Sequence, residues 1–127
     1  MNTNTQDTAW DTMHRLGVTE IDPEDYDWRE AFKYAARPML CEGASCSPDP
    51  IELTEVRRVF HMREGENDGP SWLAIGRVAD GRYFYLIAGC DYTGWDCQAG
   101  GQCWVSHDLD NLLQFGIDDD ARTVFGL

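Results

Sequence analysis

The chain is nearly devoid of lysine. Lys33 is the only one in 127 residues, and ten basic groups stand against 23 carboxylates, for a formal net charge of −13. The deficit is spread throughout: residues 1–50 hold four basic and ten acidic groups (net −6), and 51–127 hold six and thirteen (net −7). Such a field repels nucleic-acid phosphates and anionic membranes, and argues against direct binding to either. No apolar run approaches the roughly 20 residues of a membrane-spanning helix. The start, Met-Asn-Thr-Asn-Thr-Gln-Asp-Thr, lacks the basic region and apolar stretch of a secretory leader. A cytoplasmic protein is expected, with residues 1–21 as a flexible N-terminal segment and 22–127 as a single acidic domain.

Repeats, heptads and low-complexity linkers are missing as well. Cysteine is present but not patterned: Cys41, Cys46, Cys90, Cys97 and Cys103 include no Cys-x-x-Cys spacing, and His61 and His107 are isolated. That is a poor signal for zinc. An odd number of cysteines without a leader points to free thiols in a reducing compartment, with a Cys90–Cys97 bridge as the alternative. The glycines match no phosphate-binding loop and no lysine follows them, so no cofactor is expected.

What is present reads as an α+β domain: a small antiparallel sheet of about three strands packed against helices. The spacing of Trp28, Ala31, Phe32 and Ala35 predicts a helix over 22–38, with Asp22 as cap, Pro23 in the first turn and Pro38 beyond the end. Residues 41–50 read as a loop. Thr54 can cap a second helix burying Val56, Val59 and Phe60, although their β-branching leaves a strand open. Residues 64–70 break that element. Trp72–Val78 and Arg82–Ala88 flank Asp80-Gly81, a hairpin whose turn is expected to take left-handed dihedrals. In its second strand Phe84, Leu86 and Ala88 alternate with Tyr83, Tyr85 and Ile87, so both faces are apolar, as in a central strand. Residues 102–106 suggest a short third strand. Leu109, Leu112 and Leu113 predict a helix ended by Gly116, and residues 118–124 a last turn or two.

The densest unusual chemistry is Gly89-Cys-Asp-Tyr-Thr-Gly-Trp-Asp-Cys-Gln-Ala-Gly-Gly101, read as an amphipathic glycine-rich loop held by Tyr92 and Trp95. Three chemical readings can be tested on it. Glu64, Glu66 and Asp68, followed by Gly69, match the first positions of a calcium loop, but Ile75 stands where the bidentate glutamate belongs. Those three carboxylates with Asp91 or Asp96 are the weak candidates for a cation site. For covalent catalysis, Cys90 or Cys97 would need His107 as base, with Asp91 or Asp96 orienting it. Asp91 and Asp96 could instead form an acid/base pair, although their spacing within a loop implies no particular separation.

The same glycine-rich run, with Glu64–Gly69 upstream and Leu109–Gly116 downstream, resembles a group of small uncharacterised bacterial proteins over about Thr54 to Leu127. The resemblance implies a shared compact domain and transfers no catalytic role. Small acidic proteins of phage or mobile elements that block basic host machinery are similar in size and charge only.

The leading expectation is an acidic protein-interaction module, an inhibitor or regulator engaging a basic, nucleic-acid-binding protein surface. Its contacts would be Glu24, Asp25, Asp27, Glu64, Glu66, Asp68, Tyr92 and Trp95, with aromatics as anchors and carboxylates steering. The alternative is a small enzyme or metal-dependent ligand-binding domain centred on the Gly89–Gly101 loop. A homo-oligomer is compatible with both, since an aromatic face serves equally as core or dimer seam.

Overall fold

The structure, a computed structural model, describes residues 20–35 and 37–127. Nearly all of the segment expected to be loose therefore lies outside the described residues. Within them the elements run β1 (Met39–Leu40), a 3-10 turn (Leu53–Glu55), β2 (Val56–Arg63), β3 (Trp72–Val78), β4 (Tyr83–Asp91) and β5 (Gly94–Ser106). Helix α1 (Tyr26–Tyr34) precedes the strands, and α2 (Leu109–Phe115) and α3 (Asp119–Phe125) follow them. The strands form one sheet in the order β1-β5-β4-β3-β2. All neighbours are antiparallel except β1, which pairs parallel to β5.

The α+β class stands, but the expectation of about three antiparallel strands does not: the described residues hold five in a mixed sheet. Each discrepancy has a local cause. β2 was hidden by two register shifts, between Val56 and Arg58 and between Val59 and His61. Each shift inserts a residue, so the apolar positions fall at 56, 59 and 60. That spacing mimics one helical face, whereas a regular strand alternates. The short strand Met39–Leu40 falls below any periodic signal and is held by its parallel partner. The glycine-rich stretch is the turn end of a hairpin, not a loop. Ala88 faces Gly101, Gly89 faces Gly100 and Cys90 faces Ala99, and β5 runs on for thirteen residues. Gly101 has a packing reason: a Cβ there would lie 3.0 Å from the Ala35 Cβ, so the glycine lets the end of the α1 segment approach β5.

The β3–β4 hairpin forms as the sequence indicates, with a different turn. Gly81 alone takes a left-handed φ, +97°, and its N–H donates to the Val78 carbonyl at 2.9 Å. This matches a type I turn closed by a left-handed glycine, rather than a turn left-handed at both central residues. Arg82, only 5% exposed, follows it. Its guanidinium donates to Asp80 at 2.8 Å and to the carbonyls of Ser47 and Asp49 at 2.9 and 2.7 Å, tying down the long loop before β2.

Both faces of the sheet are covered, as the two apolar faces of β4 require. Phe84, Leu86 and Ala88 pack with Trp72, Ala74, Cys103 and Val105 under Trp28, Ala31 and Phe32 of α1. Tyr85 joins Leu73, Ile75 and Phe60 on the opposite face, beneath Leu109 and Leu112 of α2 and Ala121 and Phe125 of α3. Helix α1 starts later than its sequence suggested: Asp25, not Asp22, caps it, accepting from the Trp28 N–H at 3.1 Å. Asp22 accepts from the Glu24 N–H and shapes the turn before it. Asp108 and Asp118 cap α2 and α3 in the same way. The Tyr85 hydroxyl also donates to Asp118 at 3.5 Å, joining the central strand to the start of α3.

Two predictions follow from these layers. A Cβ on Gly76 would meet the Arg58 carbonyl at 2.4 Å and the Phe84 ring at 2.8 Å. Gly76→Ala should therefore cost about 1–3 kcal/mol in urea denaturation, the usual range for overpacking; a cost near zero would show that the strands can part there. His61 stacks on Phe125 with centroids 4.9 Å apart, and its buried Nε2 has no hydrogen-bond partner among the described residues. Burial lowers its pKa from the ordinary 6.5, so the unfolded chain binds the proton first as pH falls. The stability it contributes is complete above about pH 6.5 and is lost as pH falls through the folded pKa. Between about pH 7.5 and 5, urea midpoints should fall further for wild type than for His61→Phe.

Candidate functional site

The end of the β4–β5 hairpin and helix α1 are fastened by Trp95. Its ring lies 4.9 Å from Trp72 and stacks at 5.8 Å on Tyr34. Its indole N–H donates to Asp27 at 3.0 Å, and its carbonyl accepts from the Tyr34 hydroxyl at 2.7 Å. At 3% exposure Trp95 is an internal clamp and has no free surface for a partner. Tyr92, at the hairpin tip, is 77% exposed.

The clamp sets α1 beside the start of β5. Tyr26, Glu30 and Tyr34 recur every fourth residue and form one stripe of the helix, with Asp27 next to it. Tyr26 is 58% exposed. Its phenol pKa is raised, first by partial withdrawal from water, then by the negative charges of Glu30, Asp96 and Asp27. Carboxylate charges from two elements distant in sequence thus act on one exposed aromatic ring. Arg29 and Lys33 occupy the adjoining stripe of α1. Glu24 is exposed, whereas Asp25 is half-buried and occupied in capping the helix.

The acidic turn 64–70 folds against the same hairpin from another side. The Asp68 N–H donates to the Cys90 carbonyl at 3.0 Å, and the Cys90 thiol donates to the Asn67 side-chain oxygen at 3.0 Å. Asp68 takes a left-handed φ of +55° to do so. An open groove of about 400 Å3 results, bordered by Asp68, Ser71, Cys90, Asp91 and Gln98. Asp91 accepts from both the backbone and the hydroxyl of Thr93, closing the hairpin tip. Glu64 and Glu66 point to solvent, and among the described residues no three His, Cys, Asp or Glu side chains converge to hold a metal ion.

The proposed catalytic set is not assembled around His107. Cys90 pairs with Ala99, whereas Ser106, the neighbour of His107, pairs with Tyr83. About 25 Å of strand separates the two places at the usual rise per residue. His107 instead accepts from the Ser45 N–H at 3.1 Å. Cys97 sits within β5, and Asp96 is exposed on the same strand. Cys41, Cys46, Cys90 and Cys103 are free thiols, so Cys90 forms no bridge. Burial, then the charges of Asp27 and Asp91, raise the Cys90 pKa, the reverse of nucleophile activation. Burial pushes Cys41 up to about 11 and Cys103 to about 12.

Sequence reasoning missed Tyr26, Glu30 and Tyr34. Their four-residue spacing was a usable signal on a helix already expected, but nothing local indicated that Asp96 would stand beside them. The thiol geometry gives a direct check: at about pH 7.5 iodoacetamide should alkylate Cys90, followed by peptide mapping, more slowly than it alkylates glutathione, and urea should remove the difference. Faster reaction in the folded protein would restore Cys90 as a nucleophile. Comparison with known protein families, characterised proteins and solved structures returns no match.

Proposed function

We propose that this chain is an acidic interaction module that engages a basic protein surface through the face built from α1 and the β4–β5 hairpin, acting as an inhibitor or regulator of that partner. The observation that carries this reading is the exposed Tyr26 ring, on which the charges of Glu30, Asp96 and Asp27 act. A tyrosine offers a large contact area at low cost in side-chain entropy, and tyrosines are enriched where partners meet. The carboxylates around it would steer a cationic surface toward that anchor and fix its register. Trp95 holds both elements in place beforehand, so little ordering is required on binding. The net charge of −13 favours a basic partner, including a surface that otherwise carries nucleic acid, and disfavours nucleic acid itself.

The test uses immobilised full-length protein in cell extract at about 0.15 M NaCl, where charges are screened over about 8 Å. Basic proteins should be retained by wild type and lost from Tyr26→Ala/Glu30→Gln/Asp96→Asn, three positions outside the buried core, with an unchanged thermal midpoint for the variant. For a partner so identified, the association rate should fall roughly tenfold or more between about 0.15 and 0.5 M NaCl. Retention of the same proteins by the variant, or an association rate indifferent to salt, would sink the reading.

A further inference from the structure

Helix α1 buries Trp28, Ala31 and Phe32 and turns its opposite side to water. At about 100° per residue, Tyr26, Arg29, Glu30 and Lys33 share an outer arc of about 100°. Tyr26 is 58% exposed, Arg29 and Lys33 are exposed, and Glu30 is half-buried. Asp22 before the helix and Arg37 after it are exposed too. The outer face is therefore anionic towards its start and cationic towards its end, with Arg29 and Glu30 side by side at the middle. The helix macrodipole favours that polarity at the two ends. It does not account for Arg29 and Lys33 standing four residues apart, where like charges repel. Among the described residues neither forms an ion pair, although the chain holds 23 carboxylates, and Lys33 lies over the ring of its neighbour Tyr34 at 5.9 Å.

We propose that the outer face of α1 is a self-association surface, covered in solution by α1 of a second copy of this chain running antiparallel about a two-fold axis. The order of charges along the helix supports this occupant. With the axis passing between Arg29 and Glu30, Arg29 meets Glu30 of the second copy, Tyr26 meets Lys33, and Asp22 meets Arg37. Each contact occurs twice, as an isologous interface requires. All of them are favourable, the first and last as ion pairs and the middle one as an ammonium group over a tyrosine ring. A parallel arrangement would put each charge beside its own kind. Other occupants fit less well. A uniformly basic surface laid along the whole face would meet Arg29 and Lys33 with like charge, and a uniformly acidic one would be repelled by Glu30 and by the net charge of −13. A second copy brings both signs in the matching order. Its own net charge opposes the approach, but charges further apart than about 8 Å are screened at physiological salt, whereas the matched groups come together at contact distance. The helix is only about 14 Å long, so the contact falls at the small end of interface sizes and gives a weak, reversible dimer. Dimer formation covers Tyr26 and withholds it from a basic partner, a consequence that rests on the function proposed above, whereas the pairing itself does not.

Sedimentation of the full-length protein, with no other protein present, tests the pairing separately from the capture of a basic partner. Between about 20 μM and 2 mM, a range suited to small interfaces, wild type should shift reversibly from monomer to dimer. Arg29→Glu/Lys33→Glu and Tyr26→Lys/Glu30→Lys should each stay monomeric over the same range. The first sets carboxylates against carboxylates across the axis, and the second sets cations against cations. Mixed in equal amounts, the two variants should dimerise again, at least about tenfold more tightly than either does by itself, because opposite charges then face each other throughout. All four positions lie outside the buried core, and unchanged thermal midpoints show that the variants are folded. Wild type that is still monomeric at the top of the range would overturn the proposal. So would a dimer that persists in both variants, or a mixture that stays monomeric where wild type pairs.

Discussion

The architecture depends on one constraint: β4 is apolar on both faces. Phe84, Leu86 and Ala88 on one side and Tyr83, Tyr85 and Ile87 on the other cannot all be satisfied by a sheet with one wet face. Both sides must be roofed, and the chain supplies α1 for the first and α2 with α3 for the second. Phe84, Tyr85 and Leu86 are each 0% exposed as a result. The central position of β4 in the strand order follows from the same requirement.

Roofing one face with α1 has a consequence at the surface. The helix must lie close to β5, which Gly101 and Ala35 permit, and its outer stripe then abuts the beginning of that strand. Trp95 converts this proximity into a fixed geometry through Trp72, Tyr34 and Asp27. One interaction thus closes the core and sets out the acidic tyrosine face. An aromatic that looked like a binding anchor in sequence is spent inside the protein, and Tyr26 stands in the position that remains exposed. The acidic turn 64–70 is drawn in by backbone and thiol hydrogen bonds to Cys90, so its charges line the same hairpin, and among the described residues they gather into no metal site.

How far the sequence could be read depends on how local each cause was. Helices α1 and α2 were legible because their buried residues recur at helical spacing, and the β3–β4 hairpin because two alternating runs meet at Asp80-Gly81. β2 was not, because two inserted residues shifted its apolar positions onto a helical period. The glycine-rich run was misread as a loop because glycine disfavours strands locally. Here cross-strand pairing of Gly89 with Gly100 and Ala88 with Gly101 overrides that preference. The candidate site was half legible: the charge and Tyr92 could be seen, while the burial of Trp95 and the remoteness of His107 could not.

By itself the sequence determined the acidic field, the two-faced central strand and the helical face of α1, since each resides in composition or in contiguous residues. Tertiary structure alone decided which aromatics face water and which carboxylates share a surface. Tyr26 and Asp96 are seventy positions apart, and no local pattern encodes an adjacency that arises only when α1 packs across β5.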